Sequence, residues 1–197
     1  MNANNSPIAL TDLLNIADYE KARPEFRKRV MDAKQNRRIS VGPIITFVFE
    51  NRETVMFQIQ EMMRTERLVH DEQIQHEIET YRRLLPTKDE LSATLLIEIT
   101  EKDEIRPKLD SLVGLPNNSV FLVIGEKEIP TIFDEEQSEE GRISSVQYVR
   151  WKIEAAEIEK MRSGETNAAI LIRHPNYNHI SKFTIEQLKS IAADLDV

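Results

Sequence analysis

A carboxylate and an imidazole four residues apart, Glu66 and His70, are the residues in this chain best placed to do chemistry together. Such a pair can ligate a divalent metal or relay a proton. They close the stretch ENRETVMFQIQEMMRTE (50–66), which reads as a strand end running into an amphipathic helix. With Val55 placed at zero on a helical wheel, Ile59, Met62 and Met63 form one apolar stripe. Glu66 then falls at about 20°, near the stripe centre, and Arg52 at about 60°. Gln60, Glu61 and Arg64 point away. On the next helix Ile74, Ile78, Tyr81 and Leu85 form the stripe, and His70 and Glu77 lie on its flank. Glu66, His70, Arg52, Glu50 and Glu77 are therefore the first candidate site, with Glu66 and His70 as the ligands if a divalent metal binds. A buried carboxylate would need an arginine, a histidine or a metal beside it. The plainer alternative is a helix-end carboxylate that pairs with an arginine or reaches water.

The second candidate is the polar run RHPNYNH, in which Arg173, His174, Tyr177 and His179 could form a binding rim. The run follows a predicted strand, where loops often carry function. Turn chemistry accounts for Pro175, Asn176 and Asn178 without any ligand. Glu72, His76 and Glu79 share a helix face opposite the apolar stripe, which is the pattern of a solvated face. The short signatures of phosphate loops, dinucleotide folds, serine-hydrolase elbows and zinc proteases are absent. With no cysteine, the chain offers no disulfide, thiol nucleophile or cysteine-ligated metal centre. No cofactor is evident from sequence beyond that divalent metal.

These side chains depend on the elements that carry them. Thr11 can cap a short turn, and Pro24 suits the first turn of a helix over 24–37. Residues 1–10 read as a flexible N-terminus, 11–197 as one domain, and 11–38 as its helical N-terminal segment. The β-branched and aromatic run 44–49 predicts a strand buried on both faces. Helices are expected over 53–67 and 71–85, then a strand over 93–99 and a helix over 103–113. Strands follow over 120–124 and 128–133, joined by a tight turn at Gly125, and over 143–153, beyond the acidic loop 134–141. A short helix over 154–162 and a strand over 168–172 come next, and Thr184 with Gln187 is a capping box for the last helix. The expected fold class is α+β: a mainly antiparallel or mixed sheet with helices packed on it, in a single compact domain.

The 197 residues carry 40% hydrophobic and 30% charged side chains, enough for a core and a solvated surface. The net charge of −8 argues against nucleic acid, whose phosphates call for a basic surface. The charge is uneven: residues 1–38 carry +3 and the remainder −11. The basic run Arg23, Arg27, Lys28, Arg29, Lys34, Arg37 and Arg38 could contact an acidic partner, or form a solvated helix face. The N-terminus lacks a secretory signal pattern, and no apolar run approaches the roughly 20 residues of a membrane span. A cytoplasmic location without membrane association is expected.

LTDLL, YEKARPEFR, SVGPIITFVFENRETVMFQIQEMMRTER, LLP, SATLLIEI and RHPNY together resemble an uncharacterised bacterial family, domain of unknown function thirty-five hundred and one. The resemblance runs from about Leu10 to Asp196, and is most specific over ENR…VxFQxQEMxRxE. It supplies no activity or catalytic residue. It implies association with rubrerythrin-like proteins and iron–sulfur oxidoreductase subunits, whose genes often lie beside those of the family. The first expectation is thus an accessory or interaction protein of a redox or oxidative-stress pathway. A metal-dependent enzyme or metal-binding protein using the His/carboxylate site is the alternative. Nucleic-acid binding through the basic N-terminal helix ranks last.

Overall fold

The computed structural model describes residues 6–134 and 141–195. After a single 3-10 turn (Leu10–Asp12), the chain forms α1 (Ile16–Gln35), β1 (Arg38–Val41), β2 (Ile45–Glu50), α2 (Arg52–Glu66), α3 (Asp71–Arg82), β3 (Glu90–Ile97) and α4 (Lys102–Ser111). It continues through β4 (Val120–Ile124), β5 (Lys127–Pro130), β6 (Ile132–Phe133), β7 (Val146–Lys152), α5 (Ala155–Ser163), β8 (Ala168–His174), β9 (Tyr177–Lys182) and α6 (Ile185–Ala192). The fold is α+β, and every strand pairing is antiparallel.

The expected single sheet is two sheets. One has the order β1-β2-β3-β7-β6, the other β5-β4-β8-β9. The predicted strand over 128–133 is broken at Thr131, where the chain leaves the second sheet for the first. Trp151 of β7 holds that crossing: its Nε1 donates to Thr131 Oγ1 at 2.8 Å. The indole is fully buried and stacks on Phe49 of β2 at 5.4 Å. Inward residues of both sheets, among them Phe47, Leu95, Leu122 and Ile170, form one core with Ile158 and Met161 of α5 and Leu188 and Ile191 of α6.

A second core lies in a helical lobe. Val55, Ile59 and Met63 of α2 meet Ile74 and Ile78 of α3, together with Ile8, Leu68, Leu84 and Leu85. Ile8 is buried, so the ordered packing begins inside the segment expected to be flexible. The lobe lies on the outer face of the first sheet. Ser92 Oγ of β3 donates to Leu84 O at 2.6 Å, and Tyr148 of β7 packs against the lobe core.

Two helix starts follow their capping residues. Asn51 and Thr54 bond each other's backbone amides at the head of α2, and Thr184 with Gln187 does the same for α6. The start of α1 differs from expectation. Asn15 caps it, accepting from the Asp18 amide at 3.0 Å, and Pro24 sits inside the helix. Part of the acidic loop (135–140) lies outside the described residues.

Candidate functional site

The two residues expected to act together are both at the surface. Glu66 is the last residue of α2 and is exposed; His70 is exposed and precedes α3. The wheel position of Glu66 fails because the helix stops there. Arg67 takes a left-handed conformation (φ 55°), and Leu68 folds back to bury itself, its amide donating to Met63 O at 2.9 Å. Leu68 fills the space that the stripe reserved for residue 66. Glu77 is half-buried on α3. Arg52 pairs with Asp12 at 2.7 Å and so ties the N-terminal turn to α2. Glu50 alone of the set is fully enclosed. Its carboxylate accepts from Thr54 Oγ1 at 2.5 Å and Thr94 Oγ1 at 2.8 Å, which fixes the end of β2 against β3 and α2. Among the described residues, no three His, Asp or Glu side chains converge as a metal site. Glu72, His76 and Glu79 are exposed, as expected of a solvated face.

The expected loop over 173–179 is the end of β8, a tight turn and the start of β9. His174 is buried, with Nε2 3.2 Å from Val113 O and Nδ1 accepting from the Asn176 amide at 3.3 Å. Tyr177 points inward. Its hydroxyl donates to Val41 O at 2.7 Å and accepts from the Ile44 and Ile45 amides at 3.1 and 3.2 Å. The phenol thereby closes the β1–β2 hairpin against the second sheet, and burial raises its pKa. His179 packs its ring on Tyr177, with centroids 4.5 Å apart. Both side chains crowd Gly42, at φ +71°, where a Cβ would lie 2.6 Å from each. Arg173 faces the other way. It bonds Glu128 through two nitrogens and lies over the Phe121 ring. These four residues are not brought together as one rim.

Three polar arrangements were not anticipated. The first joins α1 to α2. Glu61, which the wheel turned toward solvent, accepts from Arg23 at 2.7 and 2.8 Å and from Tyr19 Oη at 2.6 Å. The Arg23 guanidinium holds this carboxyl down at about 2, with help from the Tyr19 hydroxyl and against partial burial. Gln60, also turned outward on the wheel, is buried. Its amide accepts from Leu14 N at 2.8 Å and donates to Leu14 O at 3.0 Å. A one-stripe wheel fails here because α2 is covered on two sides, by α3 and by α1. The second arrangement is a buried pair, Arg37 and Asp194, joined across 157 positions of sequence. Arg37 also donates to Phe49 O at 2.9 Å, Ser190 O at 3.1 Å and Glu50 O at 3.2 Å. Burial pushes the Asp194 carboxyl up, against the pull of the Arg37 charge. The third concerns the basic run. Arg23, Lys28, Arg29, Arg37 and Arg38 are paired with Glu61, Asp32, Glu53, Asp194 and Glu98.

One of the clefts on the helical lobe is mainly apolar. Leu10, Leu13, Leu14, Met63, Leu68 and Ile74 line a cleft of about 220 Å³. Val69, 65% exposed, and Asp71 also line it. Cofactor and substrate pockets are usually about 300–1,000 Å³. The cleft is small by that measure and suits an anchoring side chain. Among the described residues no helix is long and apolar enough to cross a membrane.

Fold and site together define a two-sheet α+β protein whose helical lobe carries an apolar cleft. The chain belongs to the family described as protein of unknown function, DUF3501, whose profile matches residues 7–195. It is similar to the crystal structure of a novel protein of unknown function from Burkholderia pseudomallei K96243. That likeness has a TM-score of 0.91 and 29% identity, and covers 97% of this chain and 100% of the other. No curated protein matches.

Proposed function

We propose that this chain is a cytosolic accessory protein of a redox or oxidative-stress system, which works by binding a protein partner rather than by chemistry of its own. The observation that carries the binding role is the apolar cleft between the N-terminal turn, α2 and α3, with Val69 exposed at its edge. An amphipathic segment that inserts one apolar anchor, with a basic residue facing Asp71, fits its size and charge. The redox setting rests on the family resemblance, which points to rubrerythrin-like proteins or iron–sulfur oxidoreductases as partners. A protein without cysteine would act on such a partner from outside its metal centre.

Native co-purification of the tagged full chain tests both parts. The expected result is recovery of a rubrerythrin-like or iron–sulfur protein by the native chain and its loss with Val69→Asp, a substitution at an exposed position. Recovery of no redox protein, with or without reductant, overturns the redox assignment. Recovery undiminished by Val69→Asp overturns the cleft as the docking site.

A further inference from the structure

The segment ahead of α1 lies on the helical lobe as a strap, and it leaves much of its seat unused. Of residues 6–15 only Ile8 is buried. Two polar contacts hold the strap to α2. The Gln60 amide takes both backbone groups of Leu14, accepting from N at 2.8 Å and donating to O at 3.0 Å. Asp12 meets Arg52 Nη2 at 2.7 Å, in a pair with both members partly exposed. Such a pair is worth little. The Leu14–Gln60 bridge stands between two clefts. On one side is the apolar cleft of about 220 Å³, lined in part by Leu14 and Met63. On the other is a cleft of about 250 Å³, lined by Leu14 and Asp12 with Phe26 of α1 and Met56 and Gln60 of α2.

The guanidinium under the strap is underused as well. Arg52 Nη1 reaches only the Met56 sulfur, a weak acceptor, and buried Nε has no hydrogen-bond partner among the described residues. The Asp12 oxygen that meets Nη2 also accepts from the Ala9 amide at 2.8 Å, so this carboxylate is shared with its own backbone.

We infer that the strap is a placeholder in one peptide groove along α2, and that an acidic, apolar segment of a protein partner takes the groove by displacing it. This rests on the reading of the helical lobe as a docking surface. The strap itself, IALTDLL, shows the chemistry that the groove reads: apolar side chains around one carboxylate. A backbone in the place of Leu14 satisfies the Gln60 amide. A carboxylate set against both Nε and Nη2 of Arg52 makes the bidentate pair that Asp12 does not make. Apolar side chains to either side enter the two clefts. Segments with few buried apolar contacts open locally at low cost. The strap then sets the partner's apparent affinity, which scales with the fraction of chains whose groove is open.

A fluorescently labelled peptide of residues 6–15, SPIALTDLLN, tests this by anisotropy against the full chain, whose own strap competes with it. Asp12→Asn in the chain weakens only the resident strap, and should raise the peptide's apparent affinity several-fold. Arg52→Gln in the chain should lower it tenfold or more. Asp12→Asn in the peptide should lower binding to the Asp12→Asn chain by a similar factor, a comparison that leaves the protein untouched. Thermal melts of both chain variants will verify that the fold is retained. A peptide that binds neither the native nor the Asp12→Asn chain overturns the inference. So does equal binding to those two chains, or binding indifferent to Arg52 and to the peptide's carboxylate. The redox assignment fails separately: co-purification without a redox protein leaves the peptide result standing.

Discussion

Replacing Asp194 by Asn should cost the protein a large share of its stability. Arg37 is 2% exposed, and Asp194 1%. The Asn side chain keeps the shape and can still accept a hydrogen bond, but it removes the counter-charge. The guanidinium is then left among the carbonyls of Phe49, Glu50 and Ser190, with no anion at its fourth contact. Removing one partner of a buried pair costs about 3–5 kcal/mol. Net stabilities of domains are about 5–15 kcal/mol. At this chain length each kcal/mol moves Tm by about 2–4 °C, so a fall of about 6–20 °C is expected. Urea unfolding of four proteins decides the matter: native, Asp194→Asn, Arg37→Met, and Arg37→Met with Asp194→Asn. The double variant should be less destabilised than the two single losses added, by about 1–3 kcal/mol, because it leaves no isolated charge. A loss under about 1 kcal/mol for Asp194→Asn, or strict additivity in the cycle, would refute the reasoning that each charge of this buried pair depends on the other.

The α1–α2 seam predicts a pH effect. The folded-state pKa of Glu61 is depressed, so its contribution is fully present above the ordinary carboxylate value and is lost as pH falls toward about 2. Glu61→Gln should cost of order 1 kcal/mol at neutral pH, after allowance for partial exposure, and the gap from native protein should close in acid urea titrations. Tyr177→Phe removes the hydroxyl shared by Val41, Ile44 and Ile45, and should cost about 1–3 kcal/mol by denaturant unfolding. Gly42→Ala should destabilise the same turn, since φ is +71° and the new Cβ meets Tyr177 and His179; loss of native Tyr177 ring contacts in NMR spectra would report it. Glu66→Ala and His70→Ala, both exposed, should each shift stability by about 0.5 kcal/mol or less in the same unfolding assay.

Strands and helices with strong local pattern were legible in the sequence, and residues defined by distant neighbours were not. The run 44–49 reads as doubly buried, and in the strand that forms, Ile45–Glu50, all six residues are buried, with Ile45, Phe47 and Phe49 in the inter-sheet core. The Thr184 capping box is a local signal and marks its helix correctly. By contrast β9 is YNHISK, whose alternation places polar residues between a buried tyrosine and an exposed isoleucine, and it reads as loop. The strand β1 has only four residues, two of them charged or polar. Among candidate residues, Glu50 was named only as a possible companion of Glu66 and His70, and its bonds to Thr54 and Thr94 come from two other elements. The pairing of Arg37 with Asp194 was not legible, because nothing local marks a pair separated by most of the chain. Glu61 was misplaced by a wheel that allows one buried face, whereas α2 has two neighbours.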